Sequence, residues 1–239
     1  MTLVEICVDD LAGTLAAESA GADRVELCAN LVEGGTTPSF GLIARVLESV
    51  TTLGVQVMIR PRGGDFVHSA SELSVMLADV RAVRDLAAQA PVPVGLVFGV
   101  LTAAGDIDIP AMRELIAAAE GVPVTCHKAF DAARDLFAAH DALTGLGVVR
   151  ILTSGGAATA TATEGSPVLR ELVAREPGGP VILAGGSVRV ANVARLVADT
   201  GVTEVHLRAQ VPGPRGDGGL VTDAALVRAF IAELGATRP

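Results

Sequence analysis

Glu5, Cys7, Glu26, Cys28, Arg60, His127, His206 and Arg208 are the residues of this 239-residue chain whose types and spacing point to chemistry. Each lies in a short apolar run in which polar and apolar residues alternate. Glu5 and Cys7 alternate with Val4, Ile6 and Val8, while Arg24, Glu26 and Cys28 alternate with Val25 and Leu27. The same period sets Gln56, Met58 and Arg60 against Val55, Val57 and Ile59, and Thr125 and His127 against Val124 and Cys126. Glu204, His206 and Arg208 stand in the same way against Val205 and Leu207. Successive strand residues face opposite sides of a sheet. The apolar parity therefore meets a covering layer, and the polar parity shares an interior. Lone ionisable groups are expensive to bury, so their convergence from five strands predicts a cavity where they pair, meet water or hold a ligand.

Two chemistries suit that set. Glu5 and Glu26, facing His127 and His206, could share protons in acid–base work. Cys7 and Cys28 hold matching places on neighbouring strands, and two thiolates with a histidine suit soft Cu(I). Two small reduced core cysteines would look the same, and neither a C-x-x-C nor an H-x-x-x-H spacing is present. No organic cofactor is evident. For a small anion, Arg60 and Arg62 flank Pro61, with Asp65 placed to orient them, and form a stiff cationic edge able to clamp a carboxylate or phosphate. A surface salt-bridge loop is the alternative. Two glycine pairs, in Thr153-Ser154-Gly155-Gly156 and Ala184-Gly185-Gly186-Ser187, would let backbone N–H groups approach an anion. Lys128 is a conceivable Schiff-base amine, but its parity is opposite to that of His127 and should turn it away from the cavity. Arg24 and Glu204 begin their strands and are expected in a structural layer at the base. Cys126 is expected in the core and His140 on a helix surface.

The elements that must position these groups follow from periodicity. Eight apolar runs read as strands: Leu3 to Val8, Arg24 to Cys28, Val55 to Arg60, Val94 to Val100, Val122 to His127, Val149 to Thr153, Val181 to Ala184 and Glu204 to Arg208. Amphipathic stretches such as Ser71 to Ala88 and Pro110 to Ala119 lie between them, and strand–helix alternation means parallel sheet. A glycine closes the helix before several strands, as in Leu146-Gly147-Val148, where it supplies the left-handed cap. Eight units in a length close to the roughly 250 residues of such folds predict an α/β (β/α)8 TIM barrel, one domain spanning 1–239. Its working face is expected at the C-terminal mouth of the strands. Pro212 to Gly219 is read as the loop of the last unit, before a closing helix from Asp223 to Leu234.

Composition narrows the partners. A net charge of -9 and only six Phe, with no Trp or Tyr, argue against nucleic acid, which needs a basic field and stacking platforms. No window approaches the ~18 apolar residues of a membrane span. The N-terminus runs into a strand without a leader, and three cysteines are too few and too odd in number for a disulfide framework. A reduced, cytosolic protein is expected, with a metal ion or small anionic ligand as its partner.

The strings that carry these residues resemble the copper homeostasis family CutC. They are Glu5-Ile-Cys7, Gly21-Ala-Asp-Arg-Val-Glu-Leu-Cys28, Glu33-Gly-Gly-Thr-Thr-Pro-Ser39, Ile59-Arg-Pro-Arg-Gly-Gly-Asp-Phe66, His127-Lys-Ala-Phe-Asp131, Leu152-Thr-Ser-Gly155 and Glu204-Val-His206. The resemblance covers most of the chain in order. It implies a cytoplasmic (β/α)8 barrel, oligomeric with a homodimer favoured, that binds Cu(I) through Cys7 and Cys28. The barrel's enzyme-like mouth keeps open a second expectation, lyase- or isomerase-type acid–base chemistry on a small phosphorylated or carboxylated metabolite. Three positions depart from the family's usual residues. Lys128 replaces Arg, His68 replaces Tyr, and Leu207 and Arg208 replace small polar residues, so a cation enters the cavity rim.

Overall fold

The computed structural model describes residues 2–157, 163–214 and 218–236. Eight parallel strands close into a barrel in chain order: β1 (Leu3–Val8), β2 (Arg24–Leu27), β3 (Gly54–Met58), β4 (Val94–Val97), β5 (Val124–Cys126), β6 (Arg150–Thr153), β7 (Val181–Gly185) and β8 (Glu204–Leu207). Pairing of Val4 with Val205 and of Glu5 with His206 joins the last strand to the first. Around the barrel run α1 (Leu11–Ser19), α2 (Phe40–Ser49), α3 (Ala70–Ala87), α4 (Ile109–Ala118), α5 (Leu136–Gly145), α6 (Ser166–Val173), α7 (Val190–Thr200) and α8 (Ala224–Ala236).

The apolar strand parity makes the layer between barrel and helices. Ile6, Val25, Val55, Val57, Ile151, Ile182 and Val205 are fully buried against helix residues such as Val46, Met76, Val80, Leu143 and Leu196. Each such side chain contributes roughly 1.5–3 kcal/mol by leaving water. Cys126 belongs to this layer, where burial chiefly pushes its thiol up to about 12. Local signals set the helix starts. Ser69 and Glu72 cap α3 reciprocally, and Asp108 caps α4 ahead of Pro110.

Several strands stop earlier than their apolar runs. β3 ends at Met58, β5 at Cys126 and β8 at Leu207, because the chains splay as they leave the closed ladder to form the mouth. Single ladder bonds still continue, from Ile59 N–H to Val97 O and from Phe98 N–H to Thr125 O. The strand parity therefore carries past the ends as far as Arg60 and His127. The loop read over Pro212 to Gly219, of which 215–217 lie outside the described residues, is flanked by two short strands, β9 (Gln210–Pro212) and β10 (Leu220–Thr222), that pair antiparallel. Gly13 of α1 leaves the space that Thr222 occupies. His140 is also corrected: it is buried, not on the surface. Its ring tucks under the loop at Gly179, where a β-carbon would lie 3.2 Å from the imidazole.

Candidate functional site

Polar strand residues fill the barrel in two levels. At the base, Arg24 Nε donates to Glu5 at 2.5 Å and Nη2 to Glu204 at 2.6 Å. Arg150 completes the network by donating to Glu204 at 2.5 Å and to Thr125 Oγ1 at 3.2 Å. This layer plugs the barrel, and Glu5 belongs to it as much as to the level above. One carboxylate oxygen of Glu5 takes Arg24, and the other accepts His206 Nδ1–H at 2.7 Å. Burial would raise the Glu5 pKa, but the Arg24 charge and the His206 hydrogen bond outweigh it and hold it at about 2. Glu5 is thus an ionised anchor that orients His206, and it does not line the cavity.

The upper level is the floor of the mouth. His206 turns Nε2 towards Glu26, 3.8 Å from its carboxylate. One donor atom each from Cys7, Glu26 and His206 lie within 4.8 Å of one another. Cys28 sits just behind, fully buried among Leu31, Met58 and Val97, and its thiol donates to Glu26 at 3.5 Å. Electrostatics separate the four groups. Burial is the main cause that raises Glu26 to about 8, partly offset by His206 and reinforced by Cys7. The Cys28 hydrogen bond, against burial and with help from His206, holds the Cys7 thiol well below its usual range. Cys28 moves the opposite way, through the same contact and burial. For His206, burial opposes protonation, yet Glu26, Cys7 and Glu5 together raise it well above its usual value.

Above this floor opens a cavity of about 510 Å³. One wall carries Arg60, Phe66, His127 and Lys128; the opposite wall carries Gly186, Ser187, Arg189 and Arg208, with Glu33 at the lip. Arg60 spends three N–H groups on the backbone carbonyls of Glu33, Gly35 and Gly64, at 3.1, 3.0 and 2.6 Å. Its guanidinium carbon lies 4.8 Å from the Phe66 ring centre, and its Nε has no partner among the described residues. The His127 ring lies 5.0 Å from the same ring, tilted by 50° to it. Its Nδ1 accepts Ala129 N–H at 3.2 Å, which leaves the proton on Nε2, and Nε2 is also buried without a partner. Burial, then the Arg60 charge, hold His127 down at about 3, so the ring is neutral. Each unsatisfied buried donor costs about 1–3 kcal/mol.

Other sequence-derived candidates fall elsewhere. Arg62 does not join Arg60 at the cavity. It pairs with Glu72 at 2.5 Å and with Asp65 at 2.9 Å, tying the loop to the start of α3. The first glycine pair is already supplied with an anion, the carboxylate of Asp131. That carboxylate accepts Ser154 N–H and Gly156 N–H, each at 2.9 Å, and the Thr153 hydroxyl. Ser154 and Gly155 therefore build an internal turn, and Gly155 packs on Gly165. Gly185 serves as space: a β-carbon there would lie 2.5 Å from Leu152 and 3.2 Å from His206. Gly186 does reach the cavity. So does Lys128, contrary to its parity, because β5 stops at Cys126 and alternation no longer governs it. Its ammonium bonds Ser154 Oγ at 2.6 Å and pairs with Asp131. Sequence reasoning missed Phe66, Ser187 and Arg189. Their signal was position alone, in loops that follow strands three and seven.

The CutC family model matches residues 2–211. A CutC protein of Bacteroides thetaiotaomicron is 46% identical over 206 residues, covering 86% of this chain and 80% of its own. The human copper homeostasis protein cutC homolog is 44% identical over 208 residues, covering 87% and 73%. A crystal structure of CutC from Streptococcus agalactiae superposes with a TM-score of 0.80 at 35% identity, covering 86% of this chain and 98% of the other.

Proposed function

Because this chain belongs to the CutC family, we propose that it serves copper homeostasis by binding Cu(I) at the floor of its barrel mouth. The observation that carries this reading is the convergence of Cys7, Glu26 and His206 donor atoms within 4.8 Å, with the Cys28 thiol beside them. Cu(I) is soft and prefers thiolate and imidazole over carboxylate. Cys7 is the anchoring ligand, already biased to the thiolate by its surroundings. His206 supplies nitrogen, oriented by Glu5, as ligating histidines generally are by a carboxylate on the other ring nitrogen. Cys28 is the second sulfur, and its proton must leave for it to ligate. Glu26, a hard donor raised to about 8 chiefly by its burial, stands beside the metal as a neutral carboxyl rather than bonding it. Free thiols at all three cysteines fit a reducing compartment, and the reading places the protein in the cytoplasm.

The test is an anaerobic competition for Cu(I) between the protein and a chromophoric chelator. The Cys7→Ser, Cys28→Ser double variant should lose at least ~100-fold in affinity, and His206→Asn on the order of 10-fold, in the range of metal-site deletions. Affinity should also rise with pH, since binding releases protons. A double variant that competes as well as the wild type ends the copper reading.

A further inference from the structure

Arg60 and His127 come from the segments that follow β3 and β5, and copper binding uses neither. Both side chains are at least nine-tenths buried, at 5% and 3% exposure, and both line the cavity. Among the described residues, each has one N–H without a partner, Arg60 Nε and His127 Nε2. Buried donors are nearly always satisfied, and a lone one asks for an explanation such as a ligand. The environment makes that explanation specific. Three backbone carbonyls hold the Arg60 guanidinium, and none of these partners carries charge. His127 is fixed as a neutral donor by the Ala129 N–H on its other nitrogen. Two donors, one cationic, share the Phe66 ring between them, and what they lack in common is an oxygen acceptor, preferably anionic. The facing wall repeats that preference with Arg189, Arg208 and the turn at Gly186 and Ser187, although the chain as a whole carries a net charge of -9.

We infer that the mouth takes a small molecule bearing an oxyanion, a phosphate ester or a carboxylate, whose oxygens accept Arg60 Nε–H and His127 Nε2–H while Arg189 and Arg208 face it from the opposite wall. The volume of about 510 Å³ suits a metabolite-sized ligand. Glu26 and His206 form the floor beneath such a ligand. The site stands independently of copper, since its donors come from the segments after β3 and β5 and the proposed metal ligands come from β1, β2 and β8.

Calorimetric titration of the copper-free full-length chain with inorganic phosphate, and separately with acetate, tests the site. Phosphate binding with weak acetate binding assigns a phosphate ester; the reverse assigns a carboxylate. His127→Phe keeps an aromatic ring against Phe66 and should weaken the preferred anion at least tenfold. Arg208→Ala, at the rim and clear of the core, should weaken it several-fold. A second measurement needs no variant: alkylation of Cys7 by iodoacetate relative to iodoacetamide, read by peptide mass spectrometry. The ratio cancels the thiol's own protonation. It should exceed that of free cysteine severalfold, collapse in high salt, and fall when phosphate is added. Anion affinity unchanged in His127→Phe overturns the proposal. So does a wild type that binds neither anion and alkylates Cys7 with the free-cysteine ratio, or not at all.

Discussion

Glu26 is where local chemistry and stability meet. Burial, chiefly, lifts its carboxyl from 4.5 to about 8, so between those values the folded protein holds a proton that the unfolded chain releases. Folding stability conferred by that proton is fully present below pH 4.5 and is lost as pH rises through about 8. Urea midpoints of metal-free protein should therefore fall from pH 5 to 8, and Glu26→Gln, which keeps the shape without the charge, should flatten that slope. A variant with the wild-type slope would remove Glu26 from the account. Glu5 differs although it shares Glu26's residue type and inward parity; it sits one level lower, paired with Arg24, where Glu26 pairs with Cys7. A guanidinium and an imidazole satisfy both its oxygens, which fixes it ionised. The alternation of Glu5 with Ile6 was legible in the sequence; which of two buried glutamates stays charged was not. That depends on Arg24, nineteen residues away, and His206, at the far end of the chain.

Strand ends and turns decide how the groups are presented. Gly185, in the last position of β7, leaves room for His206, since a β-carbon there would lie 3.2 Å from it and 2.5 Å from Leu152. Gly185→Ala should cost about 1–3 kcal/mol, as overpacking does, and should lower Cu(I) affinity by moving the imidazole. Chemical denaturation together with the chelator competition reads both. Loss of stability with unchanged affinity would confine the glycine to packing. The sequence marked Gly185 and Gly186 as an anion turn, and only the second lines the cavity. The turn at Gly155 looked equivalent, yet its N–H groups serve Asp131. Glycine content signals close approach of backbone to something, and only folding says whether that partner is a ligand or a side chain of the same chain. Lys128 and Arg62 show the reverse limit. One enters the cavity because a strand ends a residue earlier than its apolar run, and the other leaves it because Glu72 of α3 competes for its guanidinium.

The whole molecule joins an acidic exterior to a mouth rimmed by Arg60, Lys128, Arg189 and Arg208. Assembly is the property at this scale that the family resemblance implies: a homodimer should give twice 24.2 kDa by light scattering at micromolar concentration, and a monomer mass there would refute it. The sequence alone determined the barrel, because eight apolar runs alternating with helical stretches in this length have few other closed solutions, and strand parity sends the polar residues inward wherever the ladder holds. It also marked Cys7, Glu26 and His206, since a charged or thiol group alternating with valine and leucine has only the interior to face. Tertiary structure decided the rest. Closing β8 on β1 brings His206 to Glu5 and Cys7 across two hundred residues, and competition for hydrogen bonds assigns Glu5 and Asp131 to internal partners while leaving Arg60 Nε and His127 Nε2 without one. A pattern of residue types fixes which face a side chain takes, but which partner it finds there depends on distances between elements that no local pattern encodes.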